Sequence, residues 1–114
     1  MEKIKTDIAI IGAGPGGYTA AFYAASKGKR VVLIEKDGRL GGVCLNRGCI
    51  PSKTLLHAAG TLYEAKEAGK FGTHFPEPSV DLGGLRKWKA GVVEKLADGI
   101  KSLAVRRGVE VVYG

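Results

Sequence analysis

The sequence predicts an α/β fold, a parallel three-stranded sheet with covering helices. Three observations predict it. Short, mainly apolar runs bounded by turn residues occur at Asp7-Ile8-Ala9-Ile10-Ile11, Val31-Val32-Leu33-Ile34-Glu35 and Val109-Glu110-Val111-Val112-Tyr113. Runs of that kind read as strands of a parallel sheet. Between the second and third, two long stretches repeat apolar residues at three- and four-residue steps, the period of amphipathic helices. A glycine-rich turn and an alanine-rich stretch join the first two runs. Strand, turn, helix and strand then form a βαβ unit, expected to be right-handed.

Taken in order, the first strand is expected to reach back to about Ile4 and to be buried. It ends in Gly12-Ala13-Gly14-Pro15-Gly16-Gly17, and a helix follows through Tyr18 to Lys27. Pro15 suits the first helical turn, where a missing N–H costs nothing. Gly28 is the natural stop. The second strand ends on an acid, Glu35. From Ser52, the residues Leu55, Leu56, Ala59, Leu62 and Tyr63 predict an amphipathic helix to about Ala68, with Gly69 as its end. Lys70 to Gly84, with Pro76, Pro78 and a glycine pair, reads as a surface connection. Leu85 to Arg106 is a further amphipathic helix, with Trp88, Val92, Leu96, Ile100 and Leu103 as its buried stripe and basic residues opposite. Trp88 is expected in the core. Gly108 ends this helix before the third strand.

With 114 residues, 45% of them hydrophobic, the chain suffices for one unit with a core and is too short for two. Eighteen basic residues against eleven acidic give a net charge of +7. Such a balance can serve nucleic acid or an anionic membrane surface. Here the cations are scattered, without a dense run or interleaved aromatics. The expectation is therefore solvated helix faces and affinity for phosphate-bearing ligands, with no nucleic acid and no membrane as partner. No run of about 18 apolar residues predicts a membrane span. The first strand begins close to Met1, which leaves no room for a leader peptide, so a cytoplasmic protein is expected. In that reducing compartment a cysteine pair is more often catalytic than structural.

Both cysteines lie in Gly41-Gly42-Val43-Cys44-Leu45-Asn46-Arg47-Gly48-Cys49-Ile50-Pro51-Ser52-Lys53, five positions apart. In a regular helix such residues point ~140° away from each other. A disulfide needs Cα atoms within about 4.4–6.8 Å, so Cys44 and Cys49 can pair only where the backbone breaks. Gly48 permits a break, and Pro51 is expected to push Ile50 out of helical angles. A helix start there would favour a thiolate. As a staple, a bridge closing so short a loop would contribute only roughly 2 kcal/mol. A zinc site needs about four ligands, and only His57 and His74 remain, so no metal is expected. Two inert buried cysteines are the other alternative; the spacing favours a redox dithiol.

Gly12-x-Gly14-x-x-Gly17 has the spacing of a dinucleotide fingerprint. Gly12 allows the tight turn, Gly14 the approach of backbone to a pyrophosphate, and Gly17 close helix–strand packing, while the helix start offers amides to phosphate. The pattern follows a strand, opens a helix, and is answered by Glu35, eighteen residues after Gly17. An acid at that strand end can bind ribose hydroxyls. The reading is a Rossmann-like FAD/NAD(P)-binding fold. The fingerprint alone does not separate FAD from NAD. The cysteine pair favours FAD, because a thiolate can pass electrons to a flavin whereas nicotinamide takes a hydride.

Glu35 followed by Leu40-Gly41-Gly42-Val43-Cys44-Leu45-Asn46-Arg47-Gly48-Cys49-Ile50-Pro51-Ser52-Lys53 resembles the signature of the flavin-dependent pyridine nucleotide–disulfide oxidoreductases. With Leu55-Leu56 after it, the stretch is most similar to the dihydrolipoamide dehydrogenase branch. Glutathione and mercuric reductases are similar, but commonly carry valines at the positions of Leu45 and Ile50. The likeness runs from Met1 to Gly114. It implies FAD contacts from Gly12, Gly14, Gly16, Gly17, Glu35 and Lys36, and from Gly42, Val43 and Cys44 along the pyrophosphate and ribityl region. Gly114 backbone is implied near the adenine. Cys44 is implied as the interchange thiol, Cys49 as the thiol facing the flavin, and Lys53 as the group beside the flavin nitrogen.

The resemblance further implies a whole enzyme that oxidises dihydrolipoyl groups, passing two electrons through Cys44–Cys49 and FAD to NAD. Its substrate would be dihydrolipoamide or a dihydrolipoyl domain, and it would act as a homodimer within a 2-oxo acid dehydrogenase or glycine cleavage complex. Val43 departs from the family's usual threonine and removes a hydroxyl that can meet a phosphate. The family's chains are several times longer, so residues 1–114 are expected to be the N-terminal part of the FAD-binding domain, an incomplete domain. The nicotinamide domain, the interface domain with its His–Glu base and the acid partner of Lys53 would lie outside it. The alternatives are another disulfide reductase of the family or a non-catalytic nucleotide-binding fragment.

Overall fold

In the computed structural model, which describes residues 2–114, three strands form one parallel sheet. They are β1 (Ile8–Ile11), β2 (Val31–Glu35) and β3 (Glu110–Tyr113), in the order β1-β2-β3. The register sets Ile8 beside Val31 and Val32 beside Glu110. As the central strand, β2 buries Val31, Val32 and Leu33. The expected burial of β1 is not found: Ile8 and Ile11 are exposed, because β1 is an edge strand paired with β2 alone among the described residues. Nor does it reach back to Ile4. The incoming chain is tied at Arg30, whose carbonyl accepts the Asp7 and Ile8 amides and the Thr6 hydroxyl, while the Arg30 amide donates to the Asp7 carboxylate.

Helix α1 (Pro15–Ser26) starts with Pro15 in its first turn, and Gly28 turns the chain away with φ +78°. Ala21 and Phe22 join Val31, Leu33, Leu40, Ala104 and Val109 in the main core. Gly17 brings α1 so close to the turn before it that a Cβ there would lie 1.8 Å from the Gly12 carbonyl oxygen. A Cβ on Gly16 would meet open space.

Two helices, α2 (Gly42–Arg47) and α3 (Cys49–Glu67), are separated by Gly48 alone. A 3-10 turn over Ala68–Phe71 prolongs α3, and Gly72 closes it with φ +83°, three residues beyond the expected Gly69. The connection 72–81 is exposed, as its prolines suggest. Helix α4 (Leu82–Arg106) then packs on α3, on α2 and on the main core.

The buried stripe of α4 differs from the expected one. Val93, Ala97 and Ala104 are buried and Ile100 is half-buried, whereas Trp88 and Leu96 are exposed. Steps of four from Trp88 drift ~40° at each step, while the mixed steps 93, 97, 100 and 104 stay on one side. Leu45 of α2 packs against Val93 and Ala97.

Together α3 and α4 draw the molecule out to 66 × 27 × 19 Å, with a radius of gyration of 19.8 Å. A compact chain of this length has about 13 Å. Much helical surface therefore stays uncovered, including Leu55, Leu56, Leu62 and Tyr63 of α3. Among the described residues, no helix is long and apolar enough to cross a membrane.

Gly17→Ala is expected to destabilise the chain by about 1–3 kcal/mol, because the added methyl overpacks a backbone contact. Gly16→Ala should shift stability by less than about 1 kcal/mol. Urea denaturation midpoints of the two variants check this; equal midpoints would remove the Gly17 contact from what the fold requires.

Candidate active site

The site is built where the C-terminal ends of the strands meet the start of α1. Gly12 turns the chain with φ +96°, and its amide donates to the Ile34 carbonyl at 2.7 Å. The next amide, Ala13, donates to Oε2 of Glu35 at 2.7 Å, and the Asp37 amide donates to Oε1 at 2.9 Å. Glu35 is only 5% exposed, a buried carboxylate held by backbone amides rather than by a cation. The Asp37 amide holds its carboxyl below the ordinary glutamate range; the Ala13 and Lys36 amides add to this, and burial opposes them. The Gly114 amide donates to the Glu35 carbonyl at 3.0 Å, which brings the end of β3 to the same rim. Ligands of open α/β sheets bind at such strand ends.

No side chain caps α1 and no acid lies in its first turn. First-turn amides have no helical acceptor, so this start is a positively polarised edge facing outward. A Cβ on Gly16 would find nothing within 4 Å, and one on Gly14 only the Gly42 Cα at 3.9 Å. An open helix start beside an anchored carboxylate fits the phosphates and ribose of a dinucleotide. Each Glu35 oxygen accepts one amide and keeps a further lone pair for a hydroxyl.

The cysteine segment is fastened to that turn. The Gly41 amide donates to the Ala13 carbonyl at 2.8 Å. Gly42, with φ +67°, comes so near that a Cβ on it would lie 2.6 Å from the Gly14 Cα. Asn46 Nδ2 donates to the carbonyls of Leu40 and Gly42, at 3.1 and 2.9 Å, and so folds the loop back on α2. Cys44 of α2 and Cys49, the first residue of α3, form a disulfide with Cα atoms 4.7 Å apart.

The break that allows it is at Gly48 (φ −127°, ψ −102°). A Cβ there would press to 3.1 Å on the Val43 carbonyl oxygen. Pro51 does not displace Ile50, contrary to expectation: both lie inside α3. As the third helical residue, Pro51 occupies a position whose N–H has no acceptor in any case. Cys49 is exposed and Cys44 half-buried. Lys53 lies one turn after Cys49 on the same side of α3 and is exposed. Among the described residues no group of three or more metal-ligating side chains occurs.

A family model described as pyridine nucleotide-disulphide oxidoreductase matches residues 6–114. The chain belongs to this family. It is 49% identical to the dihydrolipoyl dehydrogenase of Buchnera aphidicola (subspecies Acyrthosiphon pisum) over 113 residues, covering 99% of this chain and 24% of that relative. Identity to the dihydrolipoyl dehydrogenase of Haemophilus influenzae is 50% over the same shares. Among solved structures, LpdA from Mycobacterium tuberculosis superposes with a TM-score of 0.82 at 29% identity, covering 93% of this chain and 23% of that one. The chain thus spans about a quarter of the length of the curated relatives it matches.

In this member of the oxidoreductase family, Gly12, Gly14, Gly16, Gly17, Glu35, Lys36 and Gly114 gather at the strand ends. Gly42 joins them to Val43, Cys44, Cys49 and Lys53. His57 and His74 are exposed, and the His57 ring lies near Trp88 with centroids 6.2 Å apart. Asn46 and the Ala13 amide are the site groups to which no role fell in the sequence. Asn46 had a signal: asparagine inside a helix competes for backbone groups. Its Oδ1 is buried without a partner among the described residues.

The lowered Glu35 pKa means that its contribution to stability is present above about pH 4.3, the unfolded value. That contribution is lost as pH falls through the folded pKa. Thermal midpoints should therefore drop on acidification below that pH. Glu35→Gln should flatten this limb and cost about 1–3 kcal/mol at neutral pH, since its NH₂ faces an amide N–H. An unchanged acid limb in Glu35→Gln would assign it to other carboxylates.

Proposed function

We propose that residues 1–114 are the FAD-binding, redox-active part of a dihydrolipoyl dehydrogenase-type enzyme. The observation that carries this reading is the Gly14–Gly42 apposition, which fastens a Cys44–Cys49 disulfide to an open glycine turn. Gly14, Gly16 and Gly17 would hold the pyrophosphate by backbone amides, and Glu35 the ribose, with Lys36 and Gly114 at the adenine side. Gly42, Val43 and Cys44 would run along the chain toward the flavin, near Cys49 and Lys53. Bound there, the flavin supplies a two-electron acceptor; NAD is the final one, bound by residues outside this chain.

The chain's own chemistry is thiol–disulfide exchange. A dihydrolipoyl thiolate attacks the Cys44 sulfur and releases Cys49 as thiolate. The second substrate thiolate attacks the mixed disulfide, releasing Cys44 and leaving the lipoyl disulfide, so two electrons now reside on the cysteines. The two dihydrolipoyl dehydrogenase relatives named above, each about half identical, favour this substrate over glutathione or mercuric ion. The substrate would be dihydrolipoamide or a dihydrolipoyl domain of a 2-oxo acid dehydrogenase or glycine cleavage complex, met by a homodimeric, cytoplasmic enzyme.

Two outcomes test the reading. The 114-residue chain should quench FAD fluorescence on titration, and Glu35→Gln should weaken that binding about 5- to 150-fold, as for a lost charged hydrogen bond. It should form no NADH from dihydrolipoamide and NAD, since positioning and general-base catalysis from outside the chain are missing. Equal FAD affinity in Glu35→Gln would take Glu35 out of the site. The second outcome concerns the thiols. When the chain replaces the matching quarter of the Haemophilus influenzae relative, Cys44→Ser and Cys49→Ser should each abolish turnover. Only Cys49→Ser should lose the long-wavelength thiolate–flavin band, and loss in Cys44→Ser instead would reverse the two roles.

A further inference from the structure

A second concave site lies beside the cysteine segment, where α2 faces α4. It is a cleft of about 450 Å³ at the meeting of the loop after β2, the end of α2, the first turn of α3 and the first half of α4. Arg39 comes to it from the loop, Arg47 from the last residue of α2, and Lys89 from α4. Pro51, Ala90 and Val93 supply apolar wall, and Val93 is fixed in place by its packing on Leu45. The volume is that of a site for a small organic molecule.

The charges say what kind of molecule. Three cations line the cleft against one acid, Glu94. Like charges gathered in one place repel, and little within the chain offsets that here. Arg47 meets Asp37 at 3.4 Å in an exposed pair, while Arg39 and Lys89 have no acidic partner among the described residues. Lys89 is half-buried, so salt screens it less than a free surface lysine. Asn46 also lines the cleft, but it donates to the Leu40 and Gly42 carbonyls, which spends both amide hydrogens. Binding there falls to the cations.

A carboxylate is satisfied by one guanidinium fork, edge to edge. Two guanidinium groups and an ammonium, brought to one cleft by three different elements, suit a tetrahedral dianion whose oxygens point in several directions. The apolar wall beside them suits an organic group carried by that dianion. We propose that the cleft binds a small phosphate monoester. Its phosphate is held by Arg39, Arg47 and Lys89, and its organic part lies against Pro51, Ala90 and Val93. None of Gly12, Gly14, Gly17 and Glu35 lines the cleft, so the site is separate from the glycine turn and independent of the redox reading.

Phenyl phosphate titrated into the 114-residue chain in a calorimeter should bind at a single site. Arg39→Ala and Lys89→Ala should each weaken it at least about 10-fold, as for a lost charge-assisted hydrogen bond, with unchanged far-ultraviolet circular dichroism. Glu94→Gln should tighten it about 2- to 5-fold by removing the acid from the wall, a gain that a damaged fold cannot mimic. Lys101→Ala, at an exposed cation farther along α4, should change nothing. Phenyl sulfate, with the same ring and one charge fewer, should bind more weakly. No binding of phenyl phosphate would overturn the proposal. So would an affinity indifferent to Arg39→Ala and Lys89→Ala, or competition by FAD, which would place the ligand at the glycine turn.

Discussion

Much of this structure depends on one contact between two stretches of backbone. The Gly14 and Gly42 main chains approach so closely that a methyl group on Gly42 would sit 2.6 Å from the other Cα. Gly42 also needs its left-handed φ of +67° to begin α2 in the right direction. The Gly41 amide on the Ala13 carbonyl locks the approach from the side. Cys44 follows two residues later, so its position relative to the start of α1 is set by backbone geometry and not by flexible side chains. The glycine turn proposed to hold phosphate and the Cys44–Cys49 bridge are thereby held as one rigid body.

Glu35 is the second constraint, and it works through charge. A carboxylate this deeply buried would be costly alone, but amides of Ala13 and Asp37 satisfy both oxygens and hold it ionised. These amides belong to the glycine turn and to the loop after β2, so the charge also stitches β1 to β2 across their ends. The group proposed to bind a ribose is thus already fixed in orientation before any ligand arrives. Preorganisation of that kind strengthens binding by lowering what must be ordered.

What was legible in the sequence is what short-range chemistry decides. The three strands, the Gly12–Gly17 turn, the acid at the end of β2 and the break at Gly48 all follow from residue type and spacing. Less legible was whatever depends on neighbours far along the chain. Ile8 and Ile11 carry the apolar pattern of a buried strand, yet lie on a sheet edge. Trp88 is the largest apolar residue of α4 and stays exposed, because α2 and the core select the neighbouring face of that helix. Pro51 misled by its local rule: the first turn of a helix tolerates proline, and the cysteine bridge places that first turn earlier than the periodicity does. The apolar residues of α3 did form a helix, on a face no periodicity could assign to this chain or to another.

If the bridge opens for thiol–disulfide exchange, as proposed, it cannot also be what holds its surroundings together. Cys44–Cys49 meets this requirement, because a bridge over so short a loop contributes only roughly 2 kcal/mol by restricting the unfolded chain. The work of keeping the two sulfurs adjacent falls on other groups. Asn46 clamps the loop of Leu40 and Gly42 to α2, Gly48 folds α3 back on the Val43 carbonyl, and Leu45 anchors α2 on Val93 and Ala97 of α4. None of these contacts involves a sulfur. Reduction can therefore separate the cysteines chemically while the backbone keeps them within reach, and re-oxidation needs no search. The same division explains why α3 can be a long, rigid helix with one face given to the molecule and the other left free. Its first residue forms the bridge and its inner face the packing, and neither uses the exposed Leu55, Leu56, Leu62 and Tyr63.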